Sequence, residues 1–271
     1  MKAMVQNGYS PPDQALSLTQ MPIPDATEDE VLIRLRATSV NTPDWITVTG
    51  IPKVLRLRFG MREPATPIRG TDLAGVVEAV GPQVTDFAPG DEVFGSAWSG
   101  TLATRGTFAE LSVARQHQLR RKPAALSFEA AAAAPMSAIT ALLAIRDVGA
   151  VGAGARVLIN GASGGVGTFD VQIAKSLGAE ITGVCSGRNV ELVRSLDADR
   201  VLDYTVDDFT RDQHRYDIVL DNVMNHPPRW VARLLAAGGI LIPNSVGEGG
   251  PSSAASPASE EPCCYAWSEP G

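Results

Sequence analysis

Apolar and polar residues follow two different rhythms along this chain. "EVLIRLRATSV", from Glu30 to Val40, alternates the two kinds, as a strand with one buried face does. "GTDLAGVVEAVG", "GDEVFG" and "GTFAELSVA" are further short apolar runs cut by glycines. "FAPGDEV" supplies a Pro-Gly-Asp turn among them. No helix of convincing length is predicted before Leu126, so the first part reads as a compact, irregular β-domain. The rhythm changes at "RKPAALSFEAAAAAPMSAITALLAI". Ser127 is placed to cap a helix, and Glu129 sits in its first turn, where a carboxylate suits the dipole.

From there strands and helices alternate. Strand "RVLIN" leads to helix "GTFDVQIAKSLGA", strand "EITGVCS" to helix "NVELVRSLDA", and strand "RVLDY" follows. "YDIVLDN", helix "PRWVARLLAAG" and strand "GILIPNS" complete the series. Such alternation predicts a parallel sheet with helices on both faces. The predicted division is therefore a β-domain over 1–123, an α/β domain over 124–246, and a tail over 247–271. In that tail Gly, Pro, Ser and Ala dominate without apolar period, so disorder is expected there.

Composition narrows the partners. A formal net charge of −7 leaves no basic face broad enough for nucleic acid. The longest weakly polar run, Ala130 to Ile145, is alanine-rich and contains Pro135, which suits a buried helix better than a membrane span. No membrane partner is expected. The start "MKAMVQNGYS" carries no secretory signal pattern. Three cysteines, Cys185, Cys263 and Cys264, make no disulfide framework, and a cytoplasmic setting is expected.

"VLINGASGGVGTFDVQIAKSLGA", from Val157 to Ala179, carries the chemistry. Glycines after an apolar strand let the chain turn tightly and let a pyrophosphate approach the backbone. The following helix offers free N–H groups and the positive end of its dipole. Dinucleotide binding is the expectation. Gly161, Gly164 and Gly167 fit one glycine fingerprint; Gly161, Gly165 and Gly167 fit the spacing of short-chain dehydrogenases. Those enzymes begin with the glycine motif and use a Tyr-x-x-x-Lys pair. Here a β-domain comes first, and none of Tyr9, Tyr204, Tyr216 and Tyr265 has lysine four residues on. At the end of the second strand, where an acidic residue would hold the ribose of NAD, the chain has "CSGRN" instead. Ser186 can donate a hydrogen bond and Arg188 can pair with a 2′-phosphate, which points to NADP (NADPH).

These motifs, together with "SVNTPDW", "GTDLAGVVEAVGPQVTDFAPGDEVFG", "GTFAEL" and "RVLDYT", resemble the zinc-independent quinone-oxidoreductase branch of the medium-chain dehydrogenase/reductase superfamily. The resemblance covers about residues 1–246. It implies a GroES-like β-domain, a Rossmann domain incomplete at its C-terminal end, and a cleft between them that closes on NADPH and substrate. It implies Asn41, Asp44 and Thr140 near the nicotinamide. Tyr204 falls at the adenosine 2′-phosphate region. Gly161, Ala162, Ser163, Gly164, Gly165, Val166, Gly167 and Asn222 complete the cofactor set.

Zinc-dependent relatives carry Gly-His-Glu where this chain has Gly70-Thr71-Asp72, and no cysteine precedes Cys185. No metal is expected. Without one, the reaction implied is hydride transfer to an electrophilic acceptor, a quinone or an α,β-unsaturated carbonyl, with solvent serving as proton donor where no tyrosine follows "NTPDW". Asp197 stands in "SLDAD" where relatives end a helix on glycine. After Gly247 the family pattern, including the edge strand used for dimerisation, gives way to the tail, which reads as truncated or frame-shifted. A homodimer is thereby in doubt. Two other readings follow from it: an NADP-binding protein with little or no turnover, and an accessory protein that keeps the fold without using the cofactor.

Overall fold

The computed structural model describes residues 1–51, 53–64, 66–98 and 106–245. The tail over 247–271, with Cys263 and Cys264, lies outside the described residues. The chain separates into two compact units, Met1–Met136 and Ser137 onward.

The first unit opens with β1 (Lys2–Gln6), the short helix α1 (Pro12–Ala15) and β2 (Leu16–Gln20), β1 and β2 pairing antiparallel. β3 (Glu30–Thr38) is the alternating strand of the sequence. Next come α2 (Thr42–Thr49) and α3 (Arg56–Phe59), then β4 (Asp72–Val80), β5 (Glu92–Ser96), β6 (Leu111–Arg115) and β7 (Leu119–Arg121). The five strands β3 to β7 form one antiparallel sheet in the order β6-β3-β4-β5-β7. Val31, Ile33, Leu73, Val77, Val93 and Leu119 fill its core.

One expectation needs correction here. The eight-residue helix α2 lies well before Leu126. Its start is written in "NTPD": Pro43 fits the first turn, and Asp44 reaches back to accept from the Asn41 N–H at 2.8 Å. By contacts, the first unit runs on through one further helix. Helix α4 (Phe128–Ala133), capped by Ser127 Oγ at the Ala130 N–H, lays Ala131 and Ala132 against Ala74 of β4 and so belongs to the β-unit. Alanines on both sides let helix and sheet approach closely.

The second unit takes over within α5 (Pro135–Leu142), which runs on into a π-helical turn, Leu143–Val148. Then follow β8 (Arg156–Asn160), α6 (Gly165–Ser176), β9 (Glu180–Cys185), α7 (Val190–Ser195), β10 (Arg200–Asp203), β11 (Tyr216–Asp221), α8 (Pro228–Val231) and β12 (Leu235–Pro243). All five strands are parallel, in the order β10-β9-β8-β11-β12. Counted from β8 this is 3-2-1-4-5, a doubly wound sheet whose order reverses between β8 and β11. Both faces are buried, so its strands read as continuous apolar runs. Val157 and Ile159 pack with Val171 and Ala174 of α6 on one face; Leu158 packs with Phe209, Val231 and Leu234 on the other.

The helix predicted over "PRWVARLLAAG" ends early. α8 gives way to a 3-10 turn at Ala232–Leu234, and Leu235 already pairs with Tyr216 of β11. Sheet pairing overrides the helical propensity of Leu235–Ala237. Asp197, at the end of α7, holds φ 69, the left-handed conformation expected from its glycine-like position.

Candidate functional site

The glycine loop joins β8 to α6 at the point where the strand order reverses. Gly161 adopts φ +84, and a Cβ there would meet Val223 at 2.8 Å. Gly167 lies against the start of its own loop: a Cβ would run into the Gly161 carbonyl and come within 2.8 Å of Ala162. That contact requires glycine whatever the ligand, because it sets how closely α6 approaches β8. Gly164 begins α6 with no side-chain cap, and Gly164 and Gly165 are exposed. With glycine at the cap, no cap side chain bonds the N–H groups of the first turn, at the positive end of a twelve-residue helix. A pyrophosphate fits such a cradle.

The remaining predicted cofactor residues frame it. Ala162 is fully buried beneath the loop, and Val166 is half-buried. Ser163 Oγ accepts from Asn189 Nδ2 at 3.0 Å, tying the loop to the turn after β9. That turn presents Ser186, half-buried, and Arg188, exposed. Tyr204 is exposed after β10. Asn222 follows β11 on the far side of the reversal and donates to Asp170 Oδ2 at 2.7 Å while accepting from Asn244 Nδ2 at 2.8 Å. Thr140 is half-buried on α5, one turn beyond Ser137, whose Oγ lies 3.2 Å from where a Gly165 Cβ would stand.

Two carboxylates here escaped the sequence reading. Asp203 accepts from the Thr205 N–H at 2.9 Å, from Thr205 Oγ1 at 2.7 Å and from the Gly187 N–H, and these bonds hold its carboxyl below the usual range. It reaches the "SGR" turn because Asp203 pairs with Cys185 in the parallel register. Asp170 is fully buried on α6. Burial pushes it up to about 7 against the single bond from Asn222, and its Oδ1 has no partner.

The first unit holds a different polar cluster, at the start of α2. Asn41 Nδ2 donates to Asp72 Oδ2 and to Ser39 Oγ, each at 3.0 Å. Ser39 Oγ and the Met136 N–H also donate to Asp72 Oδ2, at 3.0 and 3.1 Å. Burial raises the Asp72 carboxyl, and these donors pull it back. Asp44 is buried and pushed up to about 6. Desolvation is the main cause and Asp72 adds to it, opposed by the Asn41 and Gly70 N–H groups and by Arg69. Arg69 is itself almost wholly buried and donates through Nε to Gln6 at 2.6 Å. Asn41 and Asp44 are thus brought together with each other and with Asp72; Thr140 belongs to the second unit. The three histidines stay apart: His117 is exposed, His214 pairs with Asp212, and His226 meets Phe209 edge-on. Among the described residues no group of three His, Cys, Asp or Glu gathers in a way that could hold a metal ion.

The Alcohol dehydrogenase GroES-like domain family matches residues 27–124. The Chloroplast envelope quinone oxidoreductase homolog of Arabidopsis thaliana is 36% identical over 216 residues, covering 75% of this chain and 61% of the relative. The mitochondrial NAD(P)H oxidoreductase RTN4IP1 of Mus musculus is 37% identical, covering 76% of this chain and 55% of the relative. The chain therefore spans roughly three fifths of the length of these relatives. The crystal structure of the quinone oxidoreductase from Coxiella burnetii superposes with a TM-score of 0.79 at 29% identity, covering 89% of this chain and 74% of that one.

Proposed function

Since the chain belongs to the medium-chain dehydrogenase/reductase superfamily, on its quinone-oxidoreductase-like side, we propose that it transfers hydride from NADPH to a quinone or an α,β-unsaturated carbonyl. One observation carries the reading. An uncapped helix start, set by Gly161 and Gly167, which tolerate no side chain, lies at the reversal of a doubly wound sheet. NADPH, when bound, supplies the hydride.

The chain's own residues hold and orient. The first N–H groups of α6 take the pyrophosphate, and Arg188 with Ser186 takes the 2′-phosphate, with Tyr204 alongside. Asp203, engaged by three donors, fixes the turn that presents Arg188. Thr140 stands one turn from the loop-facing Ser137 on the nicotinamide side. Asn41 and Asp44 are assigned to substrate binding. Thr71 and Asp72 replace zinc-ligating residue types and are engaged in hydrogen bonds instead, so the acceptor must already be electrophilic. Quinones and enones meet that requirement, since the charge delivered with the hydride is delocalised on the product.

The test is titration with NADPH and NADH by fluorescence, followed by NADPH oxidation against panels of quinones and enones. Tighter binding of NADPH with turnover of at least one acceptor class is expected. Tight binding without oxidation of any acceptor would remove the catalytic part of the proposal. No binding of either nucleotide would remove all of it.

A further inference from the structure

One buried carboxylate of the second unit is out of keeping with the apolar core around it. Asp170 lies on the face of α6 that carries Gly167, Val171 and Ala174, all buried. Its Oδ1 has no partner among the described residues, and its Oδ2 accepts one bond, from Asn222 Nδ2 at 2.7 Å. Burial raises the carboxyl and the Asn222 bond lowers it, with no cation contributing. An apolar residue would fill the same place without that desolvation. A core that keeps an under-bonded carboxylate breaks a packing rule, and such breaks mark positions where function sets the residue.

Asn222 is what Asp170 holds. It follows β11, and its Cβ lies 3.5 Å from where a Cβ on Gly161 would stand, so it borders the glycine loop. Three bonds fix it. Its N–H donates to the Asn160 carbonyl at 3.1 Å, its Nδ2 donates to Asp170, and its Oδ1 accepts from Asn244 Nδ2 at 2.8 Å. The turn beyond it is pinned as well: Asp221 Oδ1 accepts from the Val223 and Met224 N–H groups at 3.2 and 2.8 Å, and Met224 takes φ 55. Chemistry sets the direction of the amide. As a carboxylate Asp170 only accepts, so the NH2 end of Asn222 turns to it. That nitrogen carries two hydrogens. One goes to Asp170, and the other finds no acceptor among the described residues. Asn222 is half-buried, which leaves this second N–H open to a ligand.

We propose that Asp170 is a positioning residue for the nucleotide: it holds the Asn222 amide so that the second N–H is presented to an acceptor oxygen of the nicotinamide riboside half. The proposal rests on the cofactor reading above and deepens it. Topology decides which half. Arg188 and Ser186 follow β9, on one side of the strand reversal, and Asn222 follows β11, on the other. A dinucleotide laid across the reversal with its 2′-phosphate at Arg188 therefore brings its other half toward Asn222. Asp170 is itself fully buried, so it acts through Asn222.

The test is calorimetric titration of the full chain with NADPH and with adenosine 2′,5′-bisphosphate, which lacks the nicotinamide half. Asp170→Leu fills the space without an acceptor. It is expected to weaken NADPH about ten-fold and to leave the bisphosphate within about two-fold of the parent chain. Asn222→Ala is expected to give the same loss, and the double variant no further loss, because the two residues act as one unit. Asp170→Asn keeps an acceptor oxygen and is expected to hold NADPH within about three-fold of the parent. Asp170→Ala takes the place of the leucine variant in the cycle should that one not fold. Unchanged NADPH affinity without the acceptor would overturn the proposal, as would equal weakening of both ligands. So would losses that multiply in the double variant, or an asparagine variant as weak as the leucine one. A parent chain that binds neither ligand would overturn the cofactor reading and this proposal with it; a parent that binds both, with an additive cycle, would remove this proposal alone.

Discussion

The two polar clusters of this molecule differ in what they leave unbonded. At the start of α2, Asp72 Oδ2 gathers three donors from Ser39, Asn41 and Met136, and Asp44 caps its own helix. At the start of α6, the Gly164 position has no side-chain cap, and Gly164 and Gly165 are exposed. The first cluster is largely bonded within itself, with Asp72 Oδ1 and Arg69 Nη2 left without partners. The second is open and has its binding capacity in reserve. The contrast recurs in the buried carboxylates. Both leave Oδ1 without a partner, but Asp72 Oδ2 gathers three donors whereas Asp170 Oδ2 has one, from Asn222. A buried carboxylate is tolerated in proportion to the donors around it.

The most damaging way to break the comparison is to close the open cluster. Gly167→Val places side-chain atoms on the Gly161 carbonyl and Ala162, and is expected to lower NADPH affinity more than a hundred-fold. Gly164→Ala meets only the Gly161 carbonyl, at 3.2 Å, and is expected to bind within a few-fold of the parent chain. Isothermal titration of both variants checks this, with circular dichroism to confirm folding.

Next in size is the pH response of Asp170. Its folded carboxyl is raised to about 7 while the unfolded one titrates near its ordinary value, so the folded state holds the proton more tightly. Stability from this residue is complete at low pH and declines from about pH 4 up to about pH 7, by as much as about 4 kcal/mol. Denaturant melts of the parent chain and Asp170→Asn across that range should diverge with rising pH, the variant becoming the more stable. Parallel curves would show that Asp170 is ionised in the fold at little cost.

Asp72→Ala tests the closed cluster. It strips the acceptor from three part-buried donors and is expected to cost about 3 kcal/mol at neutral pH by denaturant melt. A change below 1 kcal/mol would mean that water replaces the carboxylate and that the cluster is open after all. The smallest effect belongs to Arg188→Ala. Loss of one charge-assisted contact is expected to weaken NADPH about ten- to a hundred-fold and leave NADH unchanged, read as a ratio of dissociation constants. Equal losses for both nucleotides would assign Arg188 to the turn rather than to the phosphate.

What could be read from the chain follows from how local each feature is. Strand, glycines and helix at "INGASGGVG" are contiguous, and so is the alternation of β3, so both were legible. The start of α2 was also written locally, in Asn41-Thr42-Pro43-Asp44, where Asn and Asp suit both a helix cap and a site. Asp203 was invisible because it meets Gly187 only through strand register, some sixteen residues away. The end of helical structure at Leu234, before the strand β12, was hidden for the same reason: pairing of Leu235 with Tyr216 decides it, and helix propensity points the other way. Asp170 lies between these cases. The period of α6 puts it on one face with buried Gly167, Val171 and Ala174, so a carboxylate against the core was readable there, while its partner Asn222 was not.

The central claim is that the open start of α6 receives the pyrophosphate while the cluster around Asp72 stays as it is. Amide hydrogen exchange with and without saturating NADPH tests it most directly. Slowed exchange confined to peptides spanning Gly161–Thr168 and Ser186–Asn189, with those around Asn41 and Asp72 unchanged or shielded only weakly, is the predicted result. Unaltered exchange at Gly161–Thr168 under saturating nucleotide would contradict it.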